Sequence, residues 1–214
     1  SQGKVACLRI TTPSGNPNAT TQINLRGLNS IQGEVNPWVI IDGVPGEVNS
    51  VAPEDFESVD VMKDGSAAAI YGTRATGGVI FITTKQNRST DGRTSIEYNN
   101  YASLQTLFRV PDLLTADDYR RLIAEGKPYE DLGHSTNWID EVTQNPFSHN
   151  HNLTLFGGNS RTNFTGSVNY RDWDGILLKS GQERLNVRAD LNHDMFDGKL
   201  RTRMQVISNT ISSK

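Results

Sequence analysis

Residues 37–45 read Pro-Trp-Val-Ile-Ile-Asp-Gly-Val-Pro, and residues 61–85 read Val-Met-Lys-Asp-Gly-Ser-Ala-Ala-Ala-Ile-Tyr-Gly-Thr-Arg-Ala-Thr-Gly-Gly-Val-Ile-Phe-Ile-Thr-Thr-Lys. Trp38 to Ile41 is a short apolar β run, and Asp42-Gly43 after it is a strong turn pair. Phe56 to Met62 alternates. A regular strand there puts Phe56, Ser58, Asp60 and Met62 on one face and Glu57, Val59 and Val61 on the other. Ser66 to Tyr71 has an Ala-rich helical core, with Asp64 or Ser66 as N-cap. Gly72 suits the helix end, where a positive φ is cheap for glycine. Gly77-Gly78 turns the chain into Val79–Thr84, an unbroken β-branched and aromatic run of the kind that forms a buried strand.

Outward from this centre, the N-terminal side predicts two more strands. Ala6 to Thr11 is a short β run. Thr21 to Arg26 alternates, with Ile23 and Leu25 facing one way and Gln22, Asn24 and Arg26 the other. Residues 13–18 and 28–37 have loop composition. Cys7 has no intramolecular disulfide partner in the sequence and reads as a small buried residue. On the C-terminal side, Gln86 to Arg93 carries no apolar residue and reads as a linker.

Beyond the linker the pattern becomes a meander. Thr94 to Leu107 alternates, with Ile96, Tyr98, Ala102 and Leu104 on one side and Ser95, Glu97, Asn99, Ser103 and Gln105 on the other. Leu114 to Ile123 switches to helical spacing, with Thr115 as N-cap and Asp117-Asp118 in the first turn. Alternation returns in Asn152–Phe156, Thr162–Arg171, Arg184–Asp194 and Lys199–Ile207. Leu153 and Leu155 share a face, as do Phe164, Val168 and Tyr170; then Leu185, Val187, Ala189 and Leu191; then Leu200, Met204 and Val206. Opposite faces carry Asn, Thr, Arg and Asp. Gly157–Ser160, Asp174-Gly175, Lys179–Gly181 and Asp197-Gly198 read as turns.

The ordered motifs resemble the SusC/RagA-like TonB-dependent outer-membrane transporters. They are Ile40–Pro45, then Val61 to Ala75, then Gly78 to Lys85. Gly65 stands where the family usually has Ala, and Gly77 where Asn is common. Further matches lie in Thr136–Asn152, Asn152–Gly158 and Arg184–Leu191. The resemblance implies an α+β plug domain, a small mixed sheet with short helices, over residues 1–87. It implies that residues 88–214 supply the first antiparallel up-and-down strands of an incomplete outer-membrane β-barrel, with a helical segment inserted around 115–142. Family barrels use about twenty-two strands, so four or five strands leave open edges that must pair. The resemblance places Ser1 within the plug, downstream of the segment that TonB grips.

By the same resemblance the plug signature is Arg26, Gly27, Asp42, Gly43, Pro45, Lys63, Asp64, Tyr71, Gly72, Arg74 and Gly78. Arg26 and Arg74 read either as solvated arginines or as plug arginines meeting barrel carboxylates. Asn29, Gln32 and Glu34 lie in a loop that the family turns toward substrate, and solvation alone also explains their polarity. The implied function is import of large nutrients, oligosaccharides or peptides, across the cell outer membrane. The implied partners are TonB, a SusD-like surface lipoprotein, the substrate and outer-membrane lipid.

Other chemistries find little footing. The formal charge of −3 and pI near 5.8 give no polycationic face for nucleic acid. His149 and His151 share a face on a strand, but zinc needs three or four convergent ligands. No EF-hand, P-loop or nucleophile-elbow pattern occurs, so no enzyme, cofactor or metal is expected. The rival reading is a freestanding soluble glycan- or peptide-binding module. The outer face of the strands discriminates, because membrane strands are apolar outside with aromatic girdles. Tyr98, Tyr101, Phe156, Tyr170, Trp173 and Phe196 favour a barrel. The charges in Arg184–Arg203 favour the soluble module.

Overall fold

A computed structural model describes residues 8–11, 22–25, 37–62, 71–75, 77–86, 92–108 and 112–214. Cys7, Arg26, Gly27, Asn29, Gln32, Glu34, Lys63, Asp64, the expected helix from Ser66 to Ile70 and most of the linker lie outside the described residues. Strands β1 (Leu8–Thr11) and β2 (Gln22–Leu25) pair antiparallel, with Leu8 opposite Leu25.

Four strands form a mixed sheet in the order β4-β3-β6-β5. β3 (Trp38–Ile41) runs parallel to β6 (Val79–Thr84), while β4 (Val44–Pro45) and β5 (Phe56–Met62) flank them antiparallel. Asp42 and Gly43 have φ of 50° and 89°, so the β3–β4 hairpin takes the doubly positive turn that an Asp-Gly pair favours. Tyr71 is helical and runs into a 3₁₀ turn, Gly72–Ala75, with Gly72 at φ 72°. Gly78, at φ 86°, then feeds β6, and its carbonyl accepts from the Trp38 amide at 2.9 Å.

Both faces of the mixed sheet are covered, as expected for central strands apolar on both sides. Val39, Ile41, Val51, Ile80 and Ile82 form one buried cluster. Ile40, Ala75 and Val79 form the other, against Trp38, Met62, Tyr71 and Phe81. Tyr71 sits between Trp38 and Phe81, with ring centroids at 5.5 and 5.9 Å. One expectation fails here. Phe56 packs with Val59 and Val61 on the first cluster, not on the Met62 side. The cause is a register shift between Phe56 and Ser58, where a bulge breaks the two-residue period.

The second sheet is an antiparallel meander in the order β11-β10-β9-β8-β7. Its strands are β7 (Ser95–Leu104), β8 (Phe147–Gly158), β9 (Thr162–Asp174), β10 (Gly181–Met195) and β11 (Leu200–Ser213). At 10 to 15 residues each, they exceed or match the roughly 9–11 that a tilted strand needs to cross a bilayer. Gly157 and Gly158 end β8 rather than forming its turn. A Cβ on Gly157 would strike the ring of Phe164, its cross-strand partner. The β8–β9 and β10–β11 connections are short, while 105–146 and 175–180 emerge together at the other end.

The long connection holds α1 (Ala116–Ala124) and α2 (Trp138–Val142). Thr115 caps α1 in a full capping box: its hydroxyl accepts from the Asp118 amide at 3.2 Å, and its own amide donates to the Asp118 carboxylate at 3.0 Å. The Thr115 hydroxyl and amide, aided by Arg121, hold the Asp118 carboxyl below the ordinary aspartate value. The Thr143–Leu177 bridge ties this insert to the β9–β10 loop.

Candidate functional site

Every strand of the meander alternates, and its register fixes which residues share a face. Asn152, Asn169, Asn186 and Asn209 stand opposite one another across four strands. They mark the inner face. Buried residues on that face are polar: Ser148, Asn150, Asn152, Thr154, Thr165, Ser167, Asn169, Asn186, Arg188 and Asp190. The other face is apolar and open. Val187 is 38% exposed, Leu153 48%, Val206 60% and Ile96 70%. This sheet is therefore inverted, with polar groups buried and aliphatic groups outside. Soluble monomers do not expose a continuous aliphatic face of this kind, whereas a lipid-facing barrel wall must.

The outer face is also banded along the strands. Asp172, Glu183 and Lys214 cluster at one end, with Lys214 Nζ 2.7 Å from Asp172 and 3.3 Å from Glu183. Next come Tyr98, His149, His151 and Tyr170. The Tyr98 hydroxyl lies 2.6 Å from His151 Nδ1, and His149 lies 5.9 Å from Tyr170 between ring centroids. The middle is Leu153, Leu155, Val168, Val187 and Leu191. Such a belt above an aliphatic band matches a membrane interface. The expected girdle is corrected in part. Tyr98 and Tyr170 lie on the outer face, but Tyr101, Phe156 and Trp173 are paired with Asn150, Thr165 and Gln182 and so face inward. Phe196 lies in the β10–β11 turn, 72% exposed. His149 and His151 belong to this belt, and among the described residues no three metal-ligating groups converge.

The inner face closes on the mixed sheet through a line of charges of alternating sign. Asp55, in the 3₁₀ turn before β5, accepts from Ser167 and lies 3.6 Å from Arg188 Nε, a coulombic contact too long for a hydrogen bond. Asn152 and Thr154 approach the same carboxylate at 3.4 Å. Arg188 also pairs with Asp190, donates to Thr84 Oγ1 at 2.7 Å and to the Lys85 carbonyl at 3.1 Å. Arg203 then bridges Asp190 at 3.4 Å and Asp42 at 3.2 Å. Asp42 completes the line, accepting from the Thr84 amide at 2.9 Å, the Thr84 hydroxyl at 2.6 Å and Gln205 at 2.8 Å. Burial works to raise the Asp42 carboxyl, but these donors and Arg203 outweigh it and hold the group below its ordinary value.

Among the described residues the charges across this seam have one polarity, while Arg26 and the side chain of Arg74 lie outside them. The plug-side partners described here are the carboxylates Asp42, Asp55 and Glu54; the wall supplies the guanidiniums. Of Arg74 only the backbone is described. Asp42 was legible as a turn residue, yet its side chain also anchors the seam. Arg188, Asp190 and Arg203 were missed as site residues. Their signal was present: Arg184, Arg188 and Asp190 recur at even spacing on a strand whose odd positions are Leu185, Val187, Ala189 and Leu191. Pro45 and Gly43 shape the hairpin beside Arg203 and Gln205. Among the described residues no helix is long and apolar enough to cross a membrane, which says nothing of strands.

Residues 3–79 match the profile of the TonB-dependent Receptor Plug Domain. The chain is 32% identical over 213 residues to the TonB-dependent receptor SusC of Bacteroides thetaiotaomicron, covering 93% of this chain and 21% of that protein. Over nearly its whole length the chain is similar to the SusC/RagA-like TonB-dependent receptors, with a plug-domain match in its first part. A second relative, the TonB-dependent receptor P3 of Formosa agariphila, is 33% identical over 198 residues, covering 91% of this chain and 19% of P3. The chain thus spans about a fifth of the length of the curated relatives it matches. Among solved structures, the RagAB peptide importer in its closed-closed state superposes with a TM-score of 0.84 at 21% identity, over all of this chain and 28% of that one. The fold is therefore the SusC/RagA one, a plug followed by barrel strands. The relatives are named as receptors and importers, not as enzymes.

Proposed function

We propose that the protein containing this chain imports a large nutrient, an oligosaccharide or a peptide, across the cell outer membrane. Residues 1–87 are the plug that occludes the lumen, and 88–214 are wall. TonB engages a segment upstream of the plug and displaces it, and a SusD-like surface lipoprotein covers the outer mouth. The insert at 105–146 faces outward, because outer-membrane barrels have short turns on the periplasmic side and long loops outside.

One observation carries this reading: the wall's polar face is the buried one, and it is buried against the plug. A seam of ion pairs and amides exchanges its partners for water when opened. A greasy seam would expose aliphatic area instead, at roughly 25 cal/mol per Å². Among the described residues Ile207 alone of the wall packs against the plug's apolar cluster of Val39, Ile41, Val51, Ile80 and Ile82. The plug is thus held firmly but by contacts that water can replace. The aliphatic outer face argues against the freestanding soluble module. The structurally similar RagAB is a peptide importer, which supports the peptide alternative through likeness of fold alone.

The test is to tie plug to wall in the full-length parent. Asn186 donates to the Ser50 carbonyl at 3.0 Å, so Ser50→Cys and Asn186→Cys, in a Cys7→Ser background, place two thiols across the seam. A short cleavable thiol crosslinker should stop nutrient uptake, and cleaving it should restore uptake. Uptake that continues with the plug tied would contradict the mechanism.

A further inference from the structure

Two wall arginines do not follow the pattern of the seam. Arg188 and Arg203 each lie between two carboxylates. Arg171 and Arg184 are direct cross-strand partners on the inner face, an arrangement that places like charges opposite one another at a cost. Arg171 reaches Glu54 only at 3.9 Å and donates to the Tyr101 hydroxyl at 2.6 Å. Arg184 donates to neutral acceptors alone, Asn49 Oδ1 at 3.1 Å and Gln182 Oε1 at 2.9 Å, and its buried Nε has no acceptor. Among the described residues no carboxylate pairs with it. Of the two guanidiniums only that of Arg171 has a carboxylate near it, Glu54 at 3.9 Å, whose Oε2 is itself buried and unpartnered.

Their place matters as much as their charge. They lie where plug contacts end, toward the insert end of the strands. Beside Arg171 opens a cavity of about 220 Å³ whose lining includes Tyr101, Ser103, Gln105 and Trp173, and also Asp172, a carboxylate already paired with Lys214 at 2.7 Å. Aromatic and amide groups there surround the approach to Arg171, whose guanidinium lies 5.9 Å from the Tyr101 ring centre.

We propose that Arg171 and Arg184 form an anion site at the floor of the outer chamber and bind a carboxylate of the imported molecule. Guanidinium forks match carboxylate geometry, and the site lacks the counter-charge that a carboxylate supplies. A bound carboxylate competes with Glu54 of the plug for Arg171, so occupancy loosens one plug–wall contact. The substrate part of the proposal rests on the import reading; the anion site does not.

The experiment has two arms on the full-length parent, wild type and Arg184→Gln. Crystals soaked in sodium bromide should show anomalous density between the two guanidiniums in wild type and none in the variant; no density in wild type overturns the site. Cells are then fed a pool of oligogalacturonates, their methyl esters, and peptides with free or amidated C-termini, and uptake is read by mass spectrometry. Arg184→Gln should cut uptake of the carboxylate-bearing members by about tenfold or more, the effect of losing a charge-assisted contact, and leave the neutral members unchanged. Whichever acid the wild type takes identifies the source as sugar or peptide. Equal loss of acidic and neutral members reduces the pair to a structural role. Uptake of neutral members alone reduces the bromide to an adventitious ion only. If the wild type takes up nothing from the pool, the import reading fails, and the bromide arm still decides the anion site.

Discussion

The two sheets bury opposite kinds of residue. In the mixed sheet, Val39, Ile41, Ile80 and Ile82 are inside, and the hydrophobic effect explains the packing as it does in any soluble domain. In the meander the same alternation is turned around: Asn150, Asn152, Ser167 and Arg188 are inside and Leu153, Val187 and Val206 are outside. The backbone rule is common to both, since side chains alternate in any strand. What differs is the medium on the far side. A sheet whose aliphatic face is open and whose polar face is sealed by another sheet suits lipid on one side and a polar partner on the other.

The comparison breaks most severely at the seam. Arg188→Ala leaves Asp55 buried without its cation and Asp190 with Arg203 alone, which should cost about 3–5 kcal/mol. Denaturant unfolding of the parent should show it, together with earlier proteolysis between plug and wall. In the mixed sheet, Ile80→Ala removes aliphatic volume from a tight core and should cost about 2–5 kcal/mol, read as a lower melting temperature of the plug transition. On the outer face, Val187→Arg sits near the middle of β10 and should cost about 2–4 kcal/mol in a bilayer. The same substitution in a soluble module would be nearly silent, so folding titrations into vesicles separate the two environments.

A further effect belongs to pH. The Asp42 carboxyl is held below its ordinary value, so its contribution is complete above the unfolded value of about 3.9 and is lost as the pH falls through its lowered value. Wild type should therefore loosen between plug and wall on acidification below about pH 4, and Asp42→Asn should flatten that dependence in a pH series of melting temperatures. The smallest effect is local. Thr115→Ala removes the cap of α1 and should cost about 1 kcal/mol, seen as faster amide exchange in 116–124 with both sheets unchanged.

Much of this architecture was legible as period and punctuation. The runs Trp38–Ile41 and Val79–Thr84, the Asp42-Gly43 turn and the capping box at Thr115 follow from local chemistry. The faces of β8 to β11 were also legible as sets. Which set is buried was not, because a period of two is the same whichever side the solvent lies on. Phe56 was misplaced because a bulge leaves no mark in an alternating pattern. The seam was only half legible. Arg26 and Arg74 drew attention because they sit in motifs, while Arg188 and Arg203 sit on strands whose partners, Asp55 and Asp42, are more than a hundred residues away in the chain. Sequence shows that a buried arginine needs a carboxylate; it does not say which sheet provides it.

The central claim is that the aliphatic face of the meander meets lipid and the polar face meets the plug. The direct measurement is spin-label accessibility in the parent reconstituted into a bilayer, with single nitroxides at Leu185, Val187 and Leu191 outside and at Asn169 and Asn186 inside. The account predicts that the outer labels collide with lipid-dissolved oxygen and not with an aqueous nickel chelate, while the inner labels are shielded from oxygen. Outer labels open to the nickel chelate along the whole of β10 would contradict it.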